Sequence, residues 1–152
     1  MEEIDQQIVH LLSRDGRMSF TDLGKATGLS TSAVHQRVRR LEQRGVIRGY
    51  TILVDPESLG LPLTAFVSVT PLDPAAPDDV PERLAGLPEI EACHSVAGAD
   101  NYILKVRVAT PGTLETLLAR IRAVAGVATK TTVVLSTPFE GRPIPTGEVS
   151  EG

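Results

Sequence analysis

The chain has 152 residues, a formal net charge of −4 and 41% apolar residues, a composition typical of one large or two small globular domains. Three Phe, two Tyr and no Trp argue against a stacking surface for single-stranded nucleic acid, and a single cysteine, Cys93, excludes a disulfide framework and a cysteine-based zinc site. No apolar run reaches the roughly 18 residues of a membrane span, and the acidic N-terminus does not resemble a secretion signal, so we expect a cytoplasmic protein.

Two helices are predicted in the first 28 residues. Apolar residues at helical spacing predict the first over residues 3–14, and Gly16 ends it. Ser19, three residues before Asp22, predicts a capped second helix that stops at Gly28. The residues expected to face inward are Ile4, Ile8, Leu11 and Leu12 in the first helix, and Leu23 and Ala26 in the second.

A third helix is predicted from a cap at Ser30 or Thr31 to about Arg44, before a break at Gly45. In helical projection Val34, Val38 and Leu41 form a narrow stripe that faces the core. The opposite side carries Ser32, Gln36, Arg39, Arg40 and Gln43, with His35 and Arg37 on the flanks. A β-prone run over residues 46–54 follows and predicts a strand.

The outward side of this third helix suits DNA. Gln and Arg pair with adenine and guanine edges in the major groove, and small residues at a helix start allow close approach to phosphates. A cluster of arginines on an arbitrary helix is more often a solvated surface, but three short helices with a tight turn favour a recognition helix. The candidate DNA-binding residues are Ser30, Thr31, Ser32, His35, Gln36, Arg37, Arg39 and Arg40.

Charge supports a division into two modules. Residues 1–50 contain eight Lys and Arg against six Asp and Glu, a net of +2, whereas residues 51–152 contain seven against thirteen, a net of −6. Such asymmetry indicates modules with different partners.

The second half alternates strands and helices. The predicted elements are strands over residues 64–70, 90–98, 102–109 and 127–137, a helix over 78–87, and a helix capped by Thr110 and ended by Gly126. Their order, β-α-β-β-α-β, is the ferredoxin-like arrangement, and the fold class is α+β. Two helices on one face leave the other sheet face bare, so we expect sheet-to-sheet dimerisation. The tail over 138–152, rich in Pro, Gly and Glu, is expected to be poorly ordered past Pro145.

Residues 28–50 resemble the Lrp/AsnC family of bacterial transcription regulators, also called feast/famine regulators. The family pattern is roughly GLS-x-x-x-V-x-x-R-V-x-x-L-E-x-x-G-V-I-x-G-Y. The matching residues are Gly28, Leu29, Ser30, Val34, Arg37, Val38, Leu41, Glu42, Gly45, Val46, Ile47, Gly49 and Tyr50. The resemblance extends over residues 4–137, including IEACHSVAGADNYILKVRV and GVATKTTVVL.

The resemblance implies a non-enzymatic regulator. Residues 1–50 would form a winged helix-turn-helix domain for a double-stranded DNA operator, 51–63 a strand and linker, and 64–137 a RAM/ACT-like βαββαβ domain for oligomerisation and effector binding. It further implies no cofactor, an amino-acid effector, and a homodimer that assembles into a higher oligomer, an octamer. We expect no metal site, because the three histidines, His10, His35 and His94, are scattered along the chain, and no membrane association, because no apolar run is long enough.

By resemblance, the effector binds around Gly98, Ala99, Asp100, Asn101 and Tyr102. The family pattern there is commonly G-D-x-D-Y, so Asn101 replaces the second aspartate and Asp100 is offset by one. Gly98 would offer backbone N–H groups to a carboxylate, Asp100 would hold an ammonium, and Asn101 both donates and accepts. The alternative is an ordinary hairpin turn, since Asp and Asn tolerate left-handed conformations. Weaker candidates are Thr131 and Thr132.

Other chemistry is weakly supported. Cys93 and His94 point to opposite faces of a strand, and we expect Cys93 to be buried. Sirohaem decarboxylases share the two-domain architecture, which makes an enzyme using His94 and Arg107 the alternative function. A third possibility, a ligand-binding oligomer that has lost DNA binding, is disfavoured by the intact Gln36, Arg39 and Arg40 side.

Overall fold

A computed structural model describes residues 1–146. The described residues divide into two compact units, one formed by Met1–Leu53 with residues 139–146, the other by Val54–Pro138. The expectation of poor order past Pro145 falls on residues 147–152, which lie outside the described residues, and on Thr146. None of the helices in the described part is long and apolar enough to cross a membrane.

The first unit contains the three predicted helices: α1 (Glu3–Arg14), α2 (Phe20–Thr27) and α3 (Thr31–Gln43). Both predicted caps are present, because the side chains of Ser19 and Ser30 accept hydrogen bonds from backbone N–H groups three residues later. The buried core of this unit consists of Ile8, Leu12, Leu23, Val34, Val38 and Leu41.

One inward-facing prediction in α2 is wrong. Ala26 is exposed, and Gly24 is buried in its place. The N–H of Leu29 donates to the carbonyl of Gly24 over 3.0 Å, so the turn between α2 and α3 folds directly onto the α2 backbone. A Cβ at position 24 would lie 2.6 Å from the Leu29 carbonyl oxygen, which only glycine avoids.

The prediction of a strand over residues 46–54 is also wrong: the single chain forms no strand there. The end of α3 instead forms a Schellman motif: Gly45 adopts φ 72°, its N–H donates to Glu42, and Val46 donates to Leu41. No described strand pairs with the run that follows, and Leu53 is 88% exposed. An extended segment becomes a strand only when a neighbour satisfies its backbone groups.

The second unit is the predicted ferredoxin-like sheet with two helices. Its elements are β1 (Leu63–Pro71), α4 (Val80–Leu84), β2 (Ile90–Ser95), β3 (Tyr102–Val108), α5 (Pro111–Ala125) and β4 (Val127–Val133), preceded by a 3₁₀ turn over Glu57–Leu59. The strand order is β2-β3-β1-β4, with every neighbouring pair antiparallel. Strands β2 and β4 end earlier than predicted because their pairing ends at Ser95 and Val133.

One sheet face carries the core, and both helices contribute to it. Residues that pair on this face include Val67 with Leu104 and Ala65 with Val106, all fully buried. The start of α5 is fixed by a reciprocal capping box between Thr110 and Thr113, and Gly126 ends it with φ 63°, as predicted.

The expectation that Cys93 is buried is wrong. Cys93 pairs with Leu104 and so lies on the helix-covered side, but β2 is an edge strand and Cys93 is exposed. His94 pairs with Ile103 and lies on the opposite face. The prediction that these two side chains point apart is confirmed.

Candidate nucleic-acid interface and ligand cavity

The outward side of α3 carries five exposed polar side chains, Ser32, Gln36, Arg39, Arg40 and Gln43. We name the first four the α3 outer surface. Within residues 1–146, Gln36, Arg39 and Arg40 make no side-chain hydrogen bond or ion pair. The buried stripe of Val34, Val38 and Leu41 orients α3 so that these polar groups face away from the core. Their hydrogen-bonding groups are therefore free for a partner.

The N-terminal end of α3 has small side chains that allow an anion to approach closely. Ser30 accepts a hydrogen bond from Ala33 N–H over 3.2 Å, and its hydroxyl lies 3.2 Å from that of Ser32. Thr31 and Ser32 are exposed and small. The N-terminal N–H groups and positive dipole end of a helix attract anions.

Arg37 has a different role from the one expected. Its Nη1 donates to Asp5 Oδ1 over 3.0 Å and to Glu2 Oε2 over 3.1 Å. These hydrogen bonds, the one to Asp5 first, raise the pKa of Arg37 above its ordinary value. Because the Asp5 side chain is only 4% exposed, the pair ties α3 to α1, and Arg37 does not belong to the α3 outer surface. Asp5 precedes the buried Ile8 by three residues, about one helical turn. This spacing is the sequence signal that Asp5 lies on the buried side of α1.

His35 lies on the flank of α3, as the projection predicts. It is exposed, and its ring packs edge-on against Phe20 of α2 with centroids 5.5 Å apart. The contact joins the two helices that flank the turn.

A cavity of about 240 Å³ lies where β2 ends and β3 begins. It gathers four of the predicted effector residues: Gly98, Asp100, Asn101 and Tyr102. The remaining lining residues are Asp78, Ser95, Val96 and Ala97. Three predicted residues do not line it: Ala99, Thr131 and Thr132. The two threonines pair with Val67 and Phe66, further along the sheet.

The loop that forms this cavity is not an ordinary left-handed turn. Asn101 N–H donates to Val69, and Val96 N–H donates back to Asn101. No non-glycine residue among 1–146 has positive φ, so Asp100 and Asn101 are not there to adopt left-handed backbone. A Cβ at Gly98 would meet nothing within 4 Å, so this position is open to an approaching group.

The cavity is acidic. Tyr102 donates its hydroxyl to Asp78 over 2.5 Å, and this hydrogen bond, with burial, raises the pKa of Tyr102 to about 12. Asp100 Oδ1 accepts from Thr70 over 2.9 Å and lies 3.8 Å from Lys130 Nζ. Asp78 was missed by sequence reasoning because it reaches the cavity from the loop after β1, 24 residues before Tyr102.

The sheet face opposite the helices combines apolar and charged groups, and we name it the open sheet face (Thr64, Phe66, Ile103, Lys105 and Arg107). Phe66 is 40% exposed. Glu91 contacts Arg107 at 2.9 Å and Lys105 at 3.6 Å. Burial raises the pKa of Glu91, but these cations outweigh it and lower the pKa overall.

Arg107 also donates to Thr64 over 2.9 Å, so its guanidinium is committed to structural partners instead of pairing with His94 as a catalytic group. Residues 1–146 hold no group of three or more His, Cys, Asp or Glu side chains that would bind a metal ion.

A cavity of about 650 Å³ in the first unit was not predicted. It is lined by residues of α1, by Val46–Tyr50 and by Ile144–Thr146, and His10 Nδ1 lies 3.1 Å from Thr146 Oγ1. No residue of the α3 outer surface lines it.

Comparison with known proteins covers both units. Residues 1–42 match the AsnC-type helix-turn-helix domain, and residues 64–144 match the Lrp/AsnC ligand binding domain. The chain is 49% identical over 142 residues to the HTH-type transcriptional regulator LrpA of Mycobacterium tuberculosis, covering 93% of this chain and 95% of the relative. Such relatives are transcriptional regulators, not enzymes.

Two solved structures share the fold closely. The feast or famine regulatory protein of M. tuberculosis complexed with L-methionine has a TM-score of 0.93 and 49% identity, covering 94% of this chain and 97% of that one. A transcriptional regulator of Neisseria meningitidis in complex with L-Met has a TM-score of 0.88 and 26% identity, covering 97% of both chains.

Proposed function

Because the chain belongs to the Lrp/AsnC family of transcriptional regulators, we propose that it recognises a specific double-stranded DNA sequence through the α3 outer surface. The observation that carries this proposal is the free state of Gln36, Arg39 and Arg40 on an otherwise well-anchored helix. Such side chains contact base edges and phosphates once the helix enters the major groove.

The remaining contacts of α3 support this role by holding the helix rigidly. Arg37 fixes it to α1 through Asp5, and His35 packs on Phe20 of α2. A rigid scaffold lowers the cost of ordering side chains on binding. Ser30, Thr31 and Ser32 would receive a phosphate at the helix start.

The test is the salt dependence of DNA affinity, on a duplex selected from a random-sequence pool by the wild-type protein. Each phosphate contact contributes about 0.9 to the slope of log affinity against log salt concentration. If both arginines contact phosphate in each of two protomers, four phosphate contacts depend on them. The double variant, Arg39→Gln with Arg40→Gln, is then expected to bind more weakly and to have a slope lower by about 3.6.

The matched control is Arg120→Gln with Arg122→Gln, which removes the same charge from α5. Equal slopes for the two double variants contradict the assignment, because the effect would then be one of net charge alone.

We further propose that a free amino acid is the effector and binds in the 240 Å³ cavity. Asp100 and Asp78 suit an ammonium group, the backbone at Gly98 suits a carboxylate, and Asn101 suits either. Support comes from the two relatives with bound L-methionine. Because Asn101 departs from the family pattern, the amino acid that this chain prefers need not be the one bound by the two relatives.

A thermal-shift screen of the twenty amino acids tests the effector proposal. At least one amino acid is expected to raise the melting temperature of the wild type, and Asp100→Asn is expected to abolish that rise. Asp73→Asn, on the exposed turn after β1, is the control and should respond like the wild type. If no amino acid shifts either protein, the effector proposal fails.

We also propose that the open sheet face forms a homodimer and that dimers assemble further, towards an octamer. Support comes from exposed Phe66 and half-buried Ile103, which lie on the sheet face that neither helix covers. Two-fold pairing presents two copies of α3 to half-sites about 34–36 Å apart, one turn of DNA. A regulator of chromosomal DNA would act in the cytoplasm.

A further inference from the structure

The last part of the described chain, residues 139–146, packs on the first unit and has no role in the functions above; we name it the C-terminal strap. Residues Val54–Pro138 form the second unit, so the chain passes between the two units at Leu53–Val54 and again at Pro138–Phe139. The second unit is therefore joined to the first at both of its ends. The second junction lasts only while the strap stays in place, because the first junction alone connects the units covalently.

A series of polar contacts attaches the strap to α1. Thr146 Oγ1 lies 3.1 Å from His10 Nδ1, and His10 Nε2 lies 3.4 Å from Arg14 Nη1. An arginine side chain only donates, so His10 Nε2 is the acceptor and Nδ1 carries the proton that it donates to Thr146. His10 and Arg14 lie one above the other on the same side of α1, and together they hold the end of the strap there.

A turn at Gly141 shapes the strap. Gly141 has φ 67°, in the left-handed region that favours glycine. Across this turn, the Arg142 guanidinium lies 3.9 Å from the centre of the Phe139 ring. A Cβ at position 141 would lie 3.9 Å from Leu53 Cδ2, so the strap passes beside Leu53. The strap therefore contacts the first unit at two points, Leu53 and His10.

An apolar groove lies beside the strap. It is the cavity of about 650 Å³, and its lining includes Val9 and Leu12 of α1, Val46, Ile47, and Ile144 of the strap. Ile144 is 79% exposed and Val46 is 40% exposed, although both line the groove. Movement of Ile144 deeper into the groove would remove apolar surface from water, which is favourable.

We propose that the C-terminal strap closes on this groove with Ile144 as its anchor, and that the closed strap limits how freely the first unit moves about the linker after Leu53. A unit on a single linker samples many orientations, and a second connection removes most of them. Two copies of α3 then reach paired half-sites with a smaller loss of freedom. The effect on DNA binding rests on the proposed function, whereas closure of the strap does not.

Methyl NMR of the full-length protein, with only isoleucine methyl groups labelled, tests closure. Ile47 and Ile144 both line the groove, so we expect a nuclear Overhauser effect between their methyl groups. Thr146→Val, which removes the hydroxyl bound by His10, should weaken this effect, whereas the control Thr116→Val on α5 should not. A random-coil Ile144 signal without the effect would overturn closure. So would an effect found only between differently labelled protomers, since the strap would then close on the partner.

DNA affinity tests the restraint on the first unit. Ile144→Ser should lower the affinity for a duplex with two half-sites about tenfold and leave the affinity for a single half-site unchanged. Leu59→Ser, which replaces another exposed apolar residue, is the matched control and should change neither affinity.

Equal losses of affinity on both duplexes would overturn the restraint, because Ile144→Ser would then have damaged the first unit itself. Unchanged affinity for both duplexes would overturn it as well. A wild-type protein that binds neither duplex would overturn the restraint together with the proposed function, while a contact between Ile47 and Ile144 would still support closure.

Discussion

Replacing Gly24 with alanine tests whether the turn between α2 and α3 depends on backbone-to-backbone contact. A Cβ at position 24 would lie 2.6 Å from the Leu29 carbonyl oxygen, well inside normal van der Waals contact. Because that oxygen belongs to the backbone of the turn, relief requires α2 and α3 to move apart. Overpacking of this kind costs about 1–3 kcal/mol.

Helix propensity partly offsets the loss of stability expected for Gly24→Ala. Alanine in a helix interior is favoured over glycine by up to about 1 kcal/mol. The net expectation for Gly24→Ala is a loss of up to about 2 kcal/mol. For a domain of this size each kcal/mol lowers the melting temperature by about 4–8 °C. DNA affinity should fall as well, since α3 is displaced.

Differential scanning calorimetry measures the effect, with Gly112→Ala as the matched helical control. A Cβ at position 112 would lie 3.8 Å from the Thr110 hydroxyl, an ordinary contact, so this variant should gain about 0.4–1 kcal/mol. A rise in melting temperature for Gly24→Ala equal to that of Gly112→Ala would refute the close-contact explanation.

Three further outcomes are expected. Asp5→Asn should lower the melting temperature, because it removes the buried charge that anchors Arg37; unchanged melting would contradict this role. Tyr102 is stabilised as the neutral phenol by Asp78, so wild-type stability should be constant up to about pH 10, the ordinary tyrosine pKa, and fall as the pH rises to about 12. Tyr102→Phe should reduce this fall in thermal melts, and an unchanged fall would exclude the Tyr102 hydroxyl as its source. Phe66→Glu should convert dimers to monomers by light scattering with unchanged circular dichroism, and an intact oligomer would contradict the open sheet face as the interface.

The elements that sequence predicts best are those with local causes. The caps at Ser19, Ser30 and Thr110 and the breaks at Gly28 and Gly126 depend on neighbours within a few residues, and the structure confirms all of them. The α3 outer surface was predicted equally well, because helical projection separates it from the buried stripe.

Two of the errors have causes that lie beyond the local sequence. The alternation of side chains along β2 places Cys93 on the helix-covered face of the sheet, where a buried residue is expected. Cys93 is exposed because β2 is an edge strand, and the order of all four strands decides which strand lies at the edge. The run over residues 46–54 has strand propensity, but no strand of the described residues lies beside it. Propensity alone predicts neither the exposure of Cys93 nor the absence of this strand.

The candidate sites show the same division. Gly98 to Tyr102 are contiguous and were found together, whereas Asp78 enters the cavity from another loop. Arg37, on the flank of α3, was counted among the DNA-binding candidates because its partner Asp5 lies 32 residues earlier on α1. Only the tertiary structure reveals such pairings.

The most direct test of the central claim is tethered DNA cleavage from the α3 outer surface. In a Cys93→Ser background, an iron chelate attached through Gln36→Cys is placed on the DNA-facing side, and the same chelate on Glu115→Cys of α5 is the control. We expect the chelate at position 36 to give two clusters of cuts about one helical turn apart, and the chelate at position 115 to give none. Cleavage from position 115 with none from position 36 would contradict this claim.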